Sequence, residues 1–193
     1  MSLFSTVELA PRDPILGMTE AFNADPNPAK VNLSVGVYFD EQGKLPILNC
    51  VRAAEKLLAE TPKPKGYLPI DGIAAYDRAV QELVFGADGA ALRDGRVATV
   101  QTLGGTGGLK VGADFLQRLN PGSKVLISDP SWENHRALFT QAGFEVQTYP
   151  YYDAATHGIR FEAMLVALQA AVPGTVVVLH ACCHNPTGGD LDA

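Results

Sequence analysis

The sequence predicts an α/β protein, a mostly parallel sheet with helices on both faces. Three observations carry that expectation. From residue 97 onward, short apolar runs of strand length alternate with stretches of helical spacing. The run TVVVLHA, 175–181, has the continuous apolar character of a strand covered on both sides. Three chemically unusual junctions, GGTGG, SDPSW and HACCHNPTG, all fall where a strand gives way to the next element, the edge at which open α/β sheets gather ligands.

Taken in order, Asp13-Pro14 gives a helix start, an N-cap followed by proline in the first turn, with Ile15, Leu16 and Phe22 as a partial apolar face. VNLSVGVYFDEQGK reads as extended chain leading to a turn at Gly43. A helix is expected over Cys50 to Glu60, with Val51, Ala54, Leu57 and Leu58 on one side, before TPKPKGY breaks it. Helical spacing returns from Gly72 to Val84 through Ile73, Tyr76, Val80 and Leu83. VATVQT is a strand candidate, and Leu109, Gly112, Phe115, Leu116 and Leu119 mark a helix face. PGSKVLISDP reads as a turn and a strand, SWENHRALFTQAG as a helix stopped by glycine, EVQTYPYY as a strand, and Phe161 to Ala170 as a helix.

The 193 residues are 47% hydrophobic, enough for one sizeable core or for much of a two-domain subunit. A net charge of -6, with no basic block, argues against a nucleic-acid partner. No segment is apolar for long enough to span a membrane, and the amino terminus lacks the pattern of a secretory signal, so the expected location is the cytoplasm. Cys50 and the adjacent pair Cys182 and Cys183 suit reduced thiols better than a disulfide framework.

Glycines before a helix let several N–H groups converge on one anion, and Thr106 adds a hydroxyl; they also permit a merely tight turn. The string matches neither the nucleoside-triphosphate loop, since Lys110 follows leucine, nor the dinucleotide fingerprint, since the third glycine is misplaced. A cofactor bearing a single phosphate monoester fits better. Trp132, the one tryptophan, can stack on a planar cofactor or anchor a core; Ser131 can cap the helix or stand where a phosphate binds, and His135, one turn behind, can support the ring or sit on a packed face. Asn185 in NPTG can donate to an oxyanion or close its own turn. His180, Cys182 and His184 would share one face if the strand persisted, but three close ligands on one strand make a poor tetrahedron, so no metal is expected. Tyr67, on a loop, can reach a phosphate or a neighbouring subunit, or stand as a half-exposed aromatic; Gly36 gives a close backbone approach or a bulge.

Together VNLSVGVYFDEQGK, KGYLPIDG, QTLGGTGGLKVGADFL, SDPSWENH and HACCHNPTGGD resemble the aspartate and aromatic amino-acid aminotransferases, pyridoxal-phosphate enzymes of fold type I. The resemblance implies an incomplete large domain over 46–193, preceded by an amino-terminal arm and small-domain segment over 1–45. It implies that Gly105, Thr106 and Gly107 hold the cofactor phosphate, that Trp132 stacks on the pyridine ring, and that Asn185 donates to its phenolic oxygen. His135 and His180 would support these groups, Tyr67 would reach the phosphate of a partner subunit in a homodimer, and Gly36 would lie near the substrate carboxylate. The reaction implied is transfer of an amino group between an L-amino acid, aspartate or aromatic, and a 2-oxo acid such as 2-oxoglutarate. The alternatives are another enzyme on the same scaffold, such as a lyase, or an inactive subunit that only binds or dimerises.

The resemblance implies that the family's Schiff-base lysine lies beyond Ala193; the last lysine here, Lys124, precedes the Trp132 and Asn185 segments and does not replace it. No catalytic residue is therefore expected within these residues, and the chain alone is expected to be an inactive, truncated subunit. Two departures stand out: Ser34 and Gly108 occupy places where the family has glycine and alanine, and Gly108 costs helix propensity.

Overall fold

The computed structural model describes residues 4–7, 14–32 and 36–192. Asp13, Ser34 and the side chains of Ile15 and Leu16 lie outside the described residues. The chain divides into two compact units, Met1–Lys65 and Gly66–Ala193.

In the first unit, α1 spans Pro14–Ala24 and α2 spans Asn49–Glu60. The Lys30 ammonium donates to the carbonyls of Phe22 and Asp25, a cation on the negative end of the α1 dipole. The expected turn at Gly43 forms with φ 69°, and the Asp40 carboxylate accepts the N–H groups of Gln42 and Lys44 at 3.0 and 2.8 Å. Val51, Leu57 and Leu58 of α2 are exposed, so the apolar stripe that defines this helix in the sequence is not buried.

The second unit contains α3 (Ala74–Phe85), α4 (Ala90–Arg93), α5 (Gly104–Leu119), β1 (Lys124–Asp129), α6 (Glu133–Gln141), β2 (Glu145–Pro150), β3 (Tyr152–Asp153), β4 (Gly158–Ile159), α7 (Phe161–Gln169) and β5 (Val176–Val177). The main sheet has the order β2-β1-β5, parallel throughout, with Val125 of β1 opposite Val146 and Val176. β3 and β4 form a separate antiparallel pair.

Period-two alternation along β1 explains the layering. Val125 and Ile127 face one way and pack with Ala113 of α5, Phe139 of α6 and Phe144. Leu126 faces the other way and packs with Tyr149, Tyr151 and Met164 of α7. β1 is thus covered on both faces, which accounts for its unbroken apolar run.

Four local expectations are corrected. VATVQT is not a strand: burial still alternates from half-buried Val97 to exposed Val100, but no described strand lies beside it to complete a ladder. TVVVLHA pairs only at Val176 and Val177, with one further bond from Val178 N–H to the Leu126 carbonyl at 2.9 Å. EVQTYPYY breaks after Pro150, and the Tyr151 carbonyl accepts from Arg160 N–H, handing the chain to the β3–β4 pair. The glycine string does not precede α5 but forms its first turn, beginning at Gly104 with φ 65°, a conformation glycine adopts freely.

Candidate functional site

Both α5 and α6 lie on one face of β1, and their carboxyl ends are tied by Gln117 Nε2 donating to the Gly143 carbonyl at 3.2 Å. Their amino ends therefore share the edge where β1 ends at Ser128-Asp129. The first-turn N–H groups of a helix have no acceptor within it. At α5 the N-cap is Leu103, which offers no side-chain acceptor, and Gly104, Gly105 and Thr106 are exposed. A Cβ at Gly105 would meet nothing within 4 Å, so the approach to these amides is open. A Cβ at Gly108 would sit 3.0 Å from the Thr102 hydroxyl, so alanine there requires Thr102 to shift.

Trp132, not Ser131, is the N-cap residue of α6, half-buried, with its ring edge-on to His135 at 5.3 Å between centroids; the Ser131 hydroxyl pairs with His135 instead of capping. His135 is buried, its Nδ1 2.9 Å from Ser131 Oγ, and its ring lies 5.2 Å from that of His180. His180 Nδ1 accepts the backbone N–H of Asn185 at 2.9 Å, so its neutral ring carries the proton on Nε2. The His184 ring follows 4.4 Å from His180 and stacks on Tyr151 at 4.0 Å and 16°. Five rings thus run in sequence from Trp132 to Tyr151.

His184, the fourth ring of this run, is buried. Its Nε2 is 2.8 Å from Ser128 Oγ, at the end of β1, and its Nδ1 is 2.8 Å from Thr187 Oγ1 in the NPTG turn. Burial, aided by the neighbouring His180, lowers the His184 pKa from its ordinary value, against an upward pull from Asp190. Burial likewise lowers His135, with His180 adding to it. Burial raises the Tyr151 phenol, which donates to the Gly189 carbonyl at 2.7 Å.

The structure therefore links Trp132, His135, His180 and Asn185, and sets the amino end of α5 at the same edge. It does not join Tyr67 to them: that ring is fully exposed. Gly36 lies in the other unit, with open space where a side chain would be. The strand ends before His180, Cys182 is exposed, and no three His, Cys, Asp or Glu side chains among the described residues are grouped to hold a metal. Sequence reading passed over Ser128, Tyr151 and Asp190, and weighed His184 only as a metal ligand. Their partners are 3 to 56 positions away, and no local spacing reports such contacts. A cavity of about 530 Å³, lined by His157, Phe161, Asp190 and Asp192 among others, lies apart from the α5 amino end and Trp132.

A parallel sheet covered by helices on both faces, with a glycine-headed helix and an aromatic-histidine run at its carboxyl edge, defines an α/β protein with a ligand-binding edge. The chain belongs to the family Aminotransferase class I and II, which matches residues 28–193. It is 62% identical over its whole length to an aspartate aminotransferase of Pseudomonas aeruginosa, and 52% identical over 98% of its length to an aromatic-amino-acid aminotransferase of Escherichia coli. The crystal structure of an aromatic-amino-acid aminotransferase from Burkholderia pseudomallei, covalently bound to pyridoxal phosphate, superposes with a TM-score of 0.95 at 68% identity over the full chain. The chain spans about half the length of these relatives, 48% in each case.

Proposed function

We propose that this chain is the amino-terminal part of a pyridoxal-phosphate-dependent aminotransferase that moves an amino group between an L-amino acid, aspartate or aromatic, and 2-oxoglutarate. The observation that carries the reading is the uncapped, open first turn of α5 on the same sheet edge as the Trp132–His135–His180 run. It fits the cofactor's chemistry: a phosphate monoester needs several converging donors, and an aromatic ring needs a flat apolar surface.

In this reading the N–H groups of Gly105, Thr106 and Gly107, with the Thr106 hydroxyl, hold the phosphate. The Trp132 indole covers one face of the ring, and its angle is fixed by the edge contact with buried His135, itself tied to Ser131. The Asn185 side chain donates to the ring oxygen, on a backbone anchored to His180. The cofactor, when bound, supplies the electron sink for carbanion chemistry at the amino-acid α-carbon. This chain's residues bind and orient it, and none of its lysines is assigned the covalent role. Gly36 would admit the substrate carboxylate and Tyr67 would serve a second copy in a homodimer. The division into 1–45 and 46–193 and a cytoplasmic location belong to the same proposal.

Gly105→Pro tests the phosphate cradle. Proline is accepted in the first turn of a helix but removes one N–H. A lost hydrogen bond to a charged group is expected to weaken pyridoxal phosphate roughly tenfold or more, read as quenching of Trp132 emission. Equal affinity in wild type and variant, or wild-type emission that ignores the cofactor, would sink the reading.

A further inference from the structure

Residues 183–190 close into a loop with Asn185 inside it. Cys183 adopts φ 53°, and this turns the N–H groups of Cys183 and His184 toward one point. What occupies that point is the carboxylate of Asp190: Oδ2 accepts from Cys183 N–H at 2.7 Å and Oδ1 from His184 N–H at 2.8 Å. Inside the loop, Gly188 N–H donates to the His184 carbonyl at 2.7 Å, and Gly189 N–H reaches Thr187 Oγ1 at 3.2 Å. Three side chains outside the loop hold its interior: Ser128 through the His184 ring, His180 through the Asn185 N–H, and Tyr151 through the Gly189 carbonyl.

We propose that Asp190 is a positioning residue for Asn185. By closing both ends of the loop on a single carboxylate, it fixes the backbone from which the Asn185 amide projects and keeps the Asn185 N–H on His180 Nδ1. Asp190 touches no reacting atom in this scheme. It acts through the two N–H groups it accepts. The proposal rests on the reading that Asn185 faces the cofactor, but its structural half stands independently of that.

The test compares Asp190→Ala and Asp190→Asn with the wild-type chain by amide hydrogen exchange and by the 15N shift of His180 Nδ1. In the alanine variant, exchange at Cys183, His184 and Asn185 is expected to accelerate about tenfold or more, and His180 Nδ1 to lose its hydrogen-bonded shift. Asparagine keeps one acceptor oxygen and should restore part of both signals, whereas Asp190→Leu, of similar bulk with no acceptor, should restore neither. The amides of Val125, Leu126 and Ile127 report whether the sheet survives; if alanine melts it, the asparagine variant alone carries the comparison. Faster exchange at 183 and 184 with Asn185 and His180 unchanged overturns the proposal, because the histidine ties would then suffice.

A pyridoxal phosphate titration followed by Trp132 emission separates the two layers. If the wild type binds and the alanine variant binds about tenfold more weakly, the positioning role extends to the cofactor. Equal binding overturns that role while leaving the cofactor reading intact. If the wild type does not bind, the cofactor reading fails, and the exchange data decide whether Asp190 sets Asn185.

Discussion

Replacing His184 by phenylalanine keeps a flat ring against Tyr151 but removes both ring nitrogens, and so separates packing from hydrogen bonding at the centre of the site. The side chain is buried and makes two contacts at 2.8 Å, to Ser128 Oγ and Thr187 Oγ1. Each neutral hydrogen bond contributes about 0.5–1.5 kcal/mol net, so the variant should lose about 2 kcal/mol at pH 8. The pH dependence sharpens the test. The His184 pKa is lowered from 6.5 by burial first and His180 second, and His135 is lowered by the same two causes. A lowered imidazole pKa means the unfolded chain takes up the proton first. The stability is therefore complete above the unfolded value and is lost as pH falls from there through the folded value. Each such histidine contributes at most about 1.4 kcal/mol per pH unit within that window. Two of them act in the wild type and one in the variant. Urea unfolding followed by far-ultraviolet circular dichroism at pH 8, 7, 6 and 5 should show the wild type losing stability more steeply on acidification. Parallel losses in the two proteins, or a difference under about 0.5 kcal/mol at pH 8, would refute the assignment of His184 as a buried, hydrogen-bonded neutral ring.

Tyr149→Phe removes a donor that reaches the Val178 carbonyl at 2.8 Å, next to the Val178 N–H bond that extends the β1–β5 pairing. A loss of about 1–2 kcal/mol is expected in chemical unfolding. Burial raises the Tyr149 phenol above its ordinary 10.0, so its contribution is complete below that value and is lost as pH rises through the folded one; the phenylalanine variant should lose less between pH 9 and 11. Gly72 has φ 104°, and an added Cβ would lie 2.4 Å from the Gln101 Cβ, so Gly72→Ala should cost about 1–3 kcal/mol from backbone strain alone. An unchanged urea midpoint would contradict that geometry.

The helices, apart from the four-residue α4, were legible because their signals are local. Pro14, the Cys50–Glu60 stripe and the Gly143 stop lie on observed ends or spans, within a residue or so. The paired strands β1 and β2 were equally readable, since VLIS is buried on both faces and EVQTYP lies directly beside it. VATVQT and the second half of TVVVLHA misled for one reason: a strand is completed by its neighbour, and the neighbour's whereabouts is not written in the strand. The site divides the same way. Gly105, Thr106, Trp132, His135, His180 and Asn185 announce themselves through the strings GGTGG, SDPSWENH and HACCHNPTG, whereas Tyr151 carries no motif and Asp190, inside HACCHNPTGGD, carries no sign there of the amides it accepts.

By itself, then, the order of residues determined an α/β layering, the spacing of helix starts, and the family to which the chain belongs. All of these rest on periodicities and strings a few residues long. Only the tertiary structure decided which rings touch, that the glycines form a helix's first turn rather than precede it, and that a carboxylate at 190 closes on amides at 183 and 184. Those contacts arise when the sheet edge brings distant loops within about 3 Å of one another, and a hydrogen bond is fixed by that distance, not by separation along the chain.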